Sequence, residues 1–222
     1  MFKKLRNFEV SYPYFLEYPV KIVIKKIGLI SLAVWVLQKF GRKLGINRSV
    51  LISERLIEIP SVYLNLTNLK KEAEILEIGH VNSSLSLELA SLGYKITAID
   101  LRDYPFLHPN LESIKGNFLK YNFNKNFDCI ISVSTIEHFG YNQRYGGQEQ
   151  GAENLDEAAF KKIQGLLKVR GKFILTVPYA AHYRNDIWFK VYTRESLEAL
   201  LGKYFRIESR TFYVKENNQW QM

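Results

Sequence analysis

Six positions combine a residue type and a spacing that could do chemistry. Gly79 ends an apolar run, "EILEIG", and Asp100 ends the next one, "KITAID", 21 residues later. A glycine at the first tip lets backbone pass close to a ligand, because no Cβ fills the space. An acid at the second tip is placed to accept the two hydroxyls of a ribose. Its competing reading is a strand-end turn residue. Asn117 follows "LESIKG", Ser134 ends "FDCIISVS", and Glu137 and His138 come just after it in "STIEH". Of the last pair, His138 is the stronger candidate for a general base, since an imidazole titrates near neutrality. Its competing reading is a structural hydrogen bond at a helix start. Glu137 reads first as an anchor for local backbone.

These positions act together only if one fold brings them to one rim. From Ile75 onward the pattern alternates strand and helix. Strands are expected at 74–79, 95–100, 111–116, 127–134, 171–178 and 205–214, with helices at 84–93, 155–168 and 194–204. That alternation predicts an α/β fold with a doubly wound, mostly parallel sheet. Such sheets bind ligands beyond the carboxyl ends of the strands, where the strand order switches. Gly79, Asp100, Asn117, Ser134 and Pro178 would then share one rim. With only "KENNQWQM" left after Val214, six strands are expected rather than seven. Pro60 limits the segment after Ser53, a plausible N-cap, to a short helix. The Gly- and Gln-rich stretch 139–154 is longer than a connector needs and reads as a lid, with Arg144 and Tyr145 as residues that could reach a substrate.

Bulk properties narrow the classes. The 222 residues, 47% of them hydrophobic, suffice for one domain with a sizeable core. The single cysteine, Cys129, excludes an internal disulfide and reads as a buried, inert thiol. Four histidines and one cysteine form no metal-like cluster. Residues 1–48 hold ten Lys/Arg against two acids, whereas residues 49–222 hold 21 against 20. The formal charge of +9 therefore belongs to an N-terminal extension, residues 1–52, and the domain at 53–222 is nearly neutral. A basic domain face is the usual footprint of nucleic acid, so nucleic acid is disfavoured as a partner. Residues 20–44, "VKIVIKKIGLISLAVWVLQKFGRKL", read as a helix with cations at both ends and twelve uncharged residues between Lys26 and Lys39. That is too short to span a bilayer. No cleavage site of the signal-peptide type follows it. The helix either packs on the domain, lies on an anionic membrane surface, or meets a partner protein.

The motifs together resemble class I S-adenosylmethionine-dependent methyltransferases, over residues 53–214. "ILEIGHVNSS" is similar to that family's first motif, "ITAID" to its second, and "IKGNF" to the segment after its third strand. "FDCIISVSTIEH" and "LLKVRGKFILTVP" resemble its fourth and fifth strands. "SLGYKITAIDLRDYPFLHPNL" and "STIEHFG…RYGG" look more narrowly like methyltransferase-type proteins linked to surface polysaccharide synthesis. The resemblance implies S-adenosylmethionine as cofactor. Glu77 and Gly79 would meet its methionine part, Asp100 its ribose and Asn117 its adenine. His80, Asn82 and Ser134 complete the cofactor side, His80 being equally readable as a packing residue.

Three positions depart from the pattern: Val81 and Ser83 replace glycines, and Asn117 replaces an aspartate. A β-branched residue is poorly suited to positive φ, so the turn after Gly79 must differ in shape, with Asn82 and Ser83 supplying hydrogen bonds. Three functions follow. The first is a cytoplasmic methyltransferase, peripheral on the membrane through residues 20–44, acting on a small molecule or glycan. Here His182, with Tyr179 and Tyr183, would line the acceptor pocket. The second is a non-catalytic protein of the same fold that scaffolds a membrane-associated assembly. The third is an RNA methyltransferase, disfavoured by the neutral domain and by "STIE" where an N-P-P-Y-type tetrapeptide would stand. A G-x-G-x-x-G run is absent, which argues against a nicotinamide dehydrogenase.

Overall fold

A computed structural model of the chain describes residues 9–10, 49–50, 54–141, 154–182, 184–185, 189–216 and 219–222. The chain divides into two compact units, Met1–Glu54 and Arg55–Met222. In the first, the described residues are Glu54 and a parallel pairing of β1 (Glu9–Val10) with β2 (Ser49–Val50). The proposed helix at 20–44, Ser53, Arg144, Tyr145 and Tyr183 lie outside the described residues.

The second unit is built on β3 (Glu74–Ile78), β4 (Lys95–Asp100), β5 (Leu111–Lys115), β6 (Phe127–Val133) and β7 (Leu167–Thr176). They form one sheet in the order β5-β4-β3-β6-β7, every neighbouring pair parallel. β3 and β6 are the switch point, because the chain winds outward from β3 to β5 and then returns to β6. Among the described residues, four helices cover the sheet: α1 (Arg55–Leu66), α2 (Leu85–Ser91), α3 (Leu155–Leu166) and α4 (Arg194–Gly202).

The two faces follow from the pleat, which points successive side chains to opposite sides. Ile75, Ile96, Ala98, Cys129 and Ile131 join Val62 and Leu66 of α1 and Leu85 and Leu89 of α2 in one core. Leu76, Ile78, Ile99 and Ile130 join Ala159, Phe160 and Ile163 of α3 in the other, with Leu200 and Leu201 of α4 against it. Each fully buried large side chain contributes about 1.5–3 kcal/mol by leaving water. Burial also pushes the Cys129 thiol up to about 12, so it is a packing residue without ready nucleophilicity.

The structure corrects three sequence expectations. Helix α1 runs through Pro60 for 12 residues rather than stopping short of it. The proline ring faces solvent, and the packing of Val62 and Leu66 holds the helix despite one missing backbone bond. The expected strand at 205–214 does not join the sheet, which has five strands among the described residues rather than six. Phe205 is the last of that run to reach the core, whereas Ile207, Phe212, Tyr213 and Val214 are exposed. No apolar face therefore holds the segment on the sheet. Its end instead forms an antiparallel hairpin, β10 (Val214–Glu216) with β11 (Gln219–Gln221). Finally, α3 gives way at Leu167 to β7, which begins four residues before the expected Gly171. A short antiparallel pair, β8 (Arg184–Asn185) with β9 (Lys190–Val191), precedes α4.

Candidate functional site at the switch point

The carboxyl ends of β3, β4, β6 and β7 meet at one rim. Gly79 follows β3 at φ 81°, in the left-handed region, and its amide donates to the Ile99 carbonyl at 2.8 Å. A Cβ at Gly79 would run into the side chain of Thr135. The glycine is therefore demanded twice, by backbone conformation and by a neighbour within the protein.

The turn after Gly79 solves its missing glycines without strain. Neither Val81 nor Ser83 has positive φ. The Val81 amide donates to Asp100 Oδ2 at 3.1 Å, and the Ser83 amide to the His80 carbonyl at 3.0 Å. Ser83 Oγ in turn accepts from the Leu85 amide at 2.9 Å, at the start of α2. The turn is closed by its own hydrogen bonds. His80 takes the packing role: it is fully buried, its Nε2 lies 2.9 Å from Ser113 Oγ on β5, and its ring rests 4.8 Å from that of Tyr104. Burial lowers its pKa, which disfavours the charged ring.

Asp100, at the tip of β4, is nearly buried and accepts four donors. Oδ1 takes the Arg102 amide and Arg102 Nε, both at 3.0 Å. Oδ2 takes the Val81 amide at 3.1 Å and Arg102 Nη2 at 3.1 Å. The remaining guanidinium nitrogen, Nη1, reaches Asn82 Oδ1 at 3.0 Å. Arg102 thus grips two residues expected to face a cofactor.

Glu77 is buried beneath the rim, where Ser86 Oγ donates to its Oε2. Desolvation lifts its carboxyl to about 7, against the opposing effects of the Ser86 bond and the Arg55 charge. Ser134 has φ 44°, and its hydroxyl donates to Glu58 Oε1 on α1 at 2.5 Å. Thr176 Oγ1 donates to the same oxygen at 2.7 Å. Arg55 Nη1 donates to Glu58 Oε2 at 3.3 Å and to the Val133 carbonyl at 3.1 Å. Asn117 uses its amide oxygen locally, accepting from the Leu119 amide at 2.8 Å.

On the β6 side, Ile136–His138 form a single 3-10 turn. Glu137 is buried and His138 is partly exposed, with Glu137 Oε1 and His138 Nε2 4.0 Å apart. The His138 ring meets Phe189 edge-on at 5.9 Å. Nearby, buried Asp156 accepts from Lys190 Nζ at 2.7 Å and from the Tyr192 hydroxyl at 2.9 Å, which ties the segment after β7 to α3. His182 and Tyr179 are exposed, Tyr179 stacking on Phe212 at 4.9 Å. His108 is a turn residue whose Nδ1 accepts from the Asn110 amide at 3.1 Å.

Sequence reasoning missed Arg55, Glu58, Arg102, Thr135 and Thr176. A signal existed for Arg102: residues two apart on an extended chain share a face, so a cation two past Asp100 is within reach of it. Glu58 had none, being 76 residues from Ser134 and 118 from Thr176.

Neither a family model nor a curated protein matches the sequence. Solved structures do match the fold. Burkholderia thailandensis 1,6-didemethyltoxoflavin-N1-methyltransferase, solved with 1,6-didemethyltoxoflavin and S-adenosylhomocysteine, aligns at TM-score 0.55 and 16% identity, over 88% of this chain and 82% of that one. Haemonchus contortus phosphoethanolamine N-methyltransferase 2, solved with S-adenosyl-L-methionine, aligns at TM-score 0.53 and 17% identity over 68% of this chain. This chain spans only 37% of that enzyme. A Pyrococcus horikoshii protein aligns at TM-score 0.51 and 19% identity, over 77% of this chain and 90% of that one. Together with the strand order and the two helix layers, these likenesses give the chain the fold of the class I S-adenosylmethionine-dependent methyltransferases.

Proposed function

We propose that this chain is an S-adenosylmethionine-dependent methyltransferase whose acceptor is a small molecule or glycan. One observation carries the reading: Gly79 and a buried carboxylate, Asp100, stand side by side at the switch point of a methyltransferase-type sheet. The residues fit such a cofactor. Backbone amides of Val81 and Arg102 orient the Asp100 oxygens, which suits a pair of ribose hydroxyls. Glu77 would lie on the side of the methionine part, and the Asn117 amide oxygen retains a second lone pair that an adenine amino group could use.

S-adenosylmethionine would supply an activated methyl group with a good leaving group. The protein's share is then chiefly positioning and exclusion of water. His138 would take the proton from a hydroxyl or ammonium acceptor, and the Glu137 carboxylate beside it favours the imidazolium that results. The basic residues 20–44 would bring the enzyme to an anionic membrane surface, where polysaccharide precursors are a suitable acceptor class.

A second reading is a non-catalytic scaffold of the same fold. The observation in its favour is that Arg102 already satisfies Asp100. Calorimetric titration with S-adenosylmethionine and S-adenosylhomocysteine separates the two. Micromolar binding that Asp100→Ala weakens at least tenfold supports the enzyme. A folded protein that binds neither ligand would leave the scaffold.

A further inference from the structure

An ionised carboxylate offers about four lone-pair positions, and in Asp100 four donors occupy them. Two of the donors are backbone amides fixed by the turn. The other two, Nε and Nη2, belong to a side chain that is one-third exposed and has solvent to move into. The two lone pairs that a ribose diol needs are those held by the guanidinium. Asn82 holds the third nitrogen and so keeps the guanidinium flat against the rim. Tyr104, from the same loop, covers the turn by donating to the Ser83 carbonyl at 3.3 Å and packing on His80.

We propose that Arg102 gates the ribose subsite: its guanidinium stands in for the ribose diol on Asp100 and must swing out, pivoting away from Asn82, before a diol can dock there. The inference rests on the methyltransferase reading, since it takes Asp100 as the ribose acceptor. Its consequence is a selective penalty. A ligand with both ribose hydroxyls must displace Arg102 to use them, so part of the diol's binding energy offsets the lost ion pair. A nucleoside without the hydroxyls has no such exchange to make. The gate therefore lowers affinity for the cofactor and flattens discrimination between ribose and its deoxy analogues.

The test is calorimetric titration of the full chain with S-adenosylhomocysteine, adenosine and 2′,3′-dideoxyadenosine, on wild type, Arg102→Ala, Arg102→Gln, Asn82→Ala and Asp100→Ala. Thermal melts confirm that each variant is folded, and Arg102→Gln keeps a side chain over the carboxylate should the alanine variant be unstable. The gate predicts S-adenosylhomocysteine binding about tenfold tighter in Arg102→Ala, equivalent to about 1.4 kcal/mol. Asn82→Ala should tighten binding by roughly two- to threefold, since it removes one of the hydrogen bonds that hold the guanidinium on the rim. The ratio of adenosine to dideoxyadenosine affinity should widen in Arg102→Ala, which loss of a merely structural ion pair would not produce. Unchanged or weaker binding in both Arg102 variants, with Asp100→Ala still impaired, overturns the gate and leaves the methyltransferase reading intact. No binding by any folded variant overturns both.

Discussion

Glu77 is a residue whose protonation the fold alters near neutral pH. Its carboxyl is raised to about 7 from an ordinary value of 4.5, so near pH 6 the folded chain holds a proton that the unfolded chain has released. The stabilisation is complete below the unfolded value and is lost as the pH rises through about 7. Glu77→Gln removes this dependence and should be the more stable protein in mild alkali, by roughly 3 kcal/mol at most. Urea midpoints of both proteins on either side of neutrality check it, and parallel pH profiles would refute it. At this scale the sequence was half legible. The placement of Gly79 and Asp100 at neighbouring strand tips could be read from residue type and spacing. That His80 turns inward, and that Arg102 folds back onto Asp100, depend on the path of the loop after β4, which local pattern does not encode.

Between elements, the decisive contact is the hold of α1 on the rim. Glu58 accepts from Ser134 and Thr176 with one oxygen and from Arg55 with the other, so a single carboxylate joins the helix to the ends of β6 and β7. Glu58→Ala would take the carboxylate acceptor from two hydroxyls and leave Arg55 with only its other partners, at a cost of about 2–3 kcal/mol. Glu58→Gln, which keeps an acceptor, should cost about half as much. Denaturant unfolding of the pair tests this, and equal losses would mean that the contact is packing rather than hydrogen bonding. The strands β3, β4 and β6 were legible because fully buried strands need unbroken apolar runs. The Pro60 helix and the detached 205–214 segment were not. In both, tertiary packing decided against a sound local rule: Val62 and Leu66 carry α1 past the proline, and the charged 206–210 run has no apolar face to lay on the sheet.

Across the whole molecule, charge is the property with a functional prediction. Nearly all of the excess positive charge lies in residues 1–48, much of it at the ends of 20–44. The full chain should co-sediment with vesicles containing anionic lipid and be released as salt rises, because screening shortens the reach of those cations. Neutral vesicles should capture little. Equal binding to both would point to apolar insertion, and binding to neither would return residues 20–44 to a packing or partner role. The fold class was legible at this scale because alternation of strand and helix permits few architectures. The strand count was not, since it turned on one amphipathic run near the chain's end.

That run's departure from the sheet has a further consequence for β7. Among the described residues, β7 pairs only with β6 and has no second strand along its outer side. Such edges invite copies of a protein to zip together into growing ribbons. Here the edge carries Lys168, Arg170 and Lys172 within five residues, and Arg170 sits at φ 64°, which breaks the regular ladder. Two copies meeting along β7 would meet an interrupted strand, with Lys168 paired to Asp128, Lys172 bound to the Asn65 carbonyl and Arg170 exposed. Among the described residues, an interrupted, cation-bearing strand is thus a poor template for pairing with a second copy.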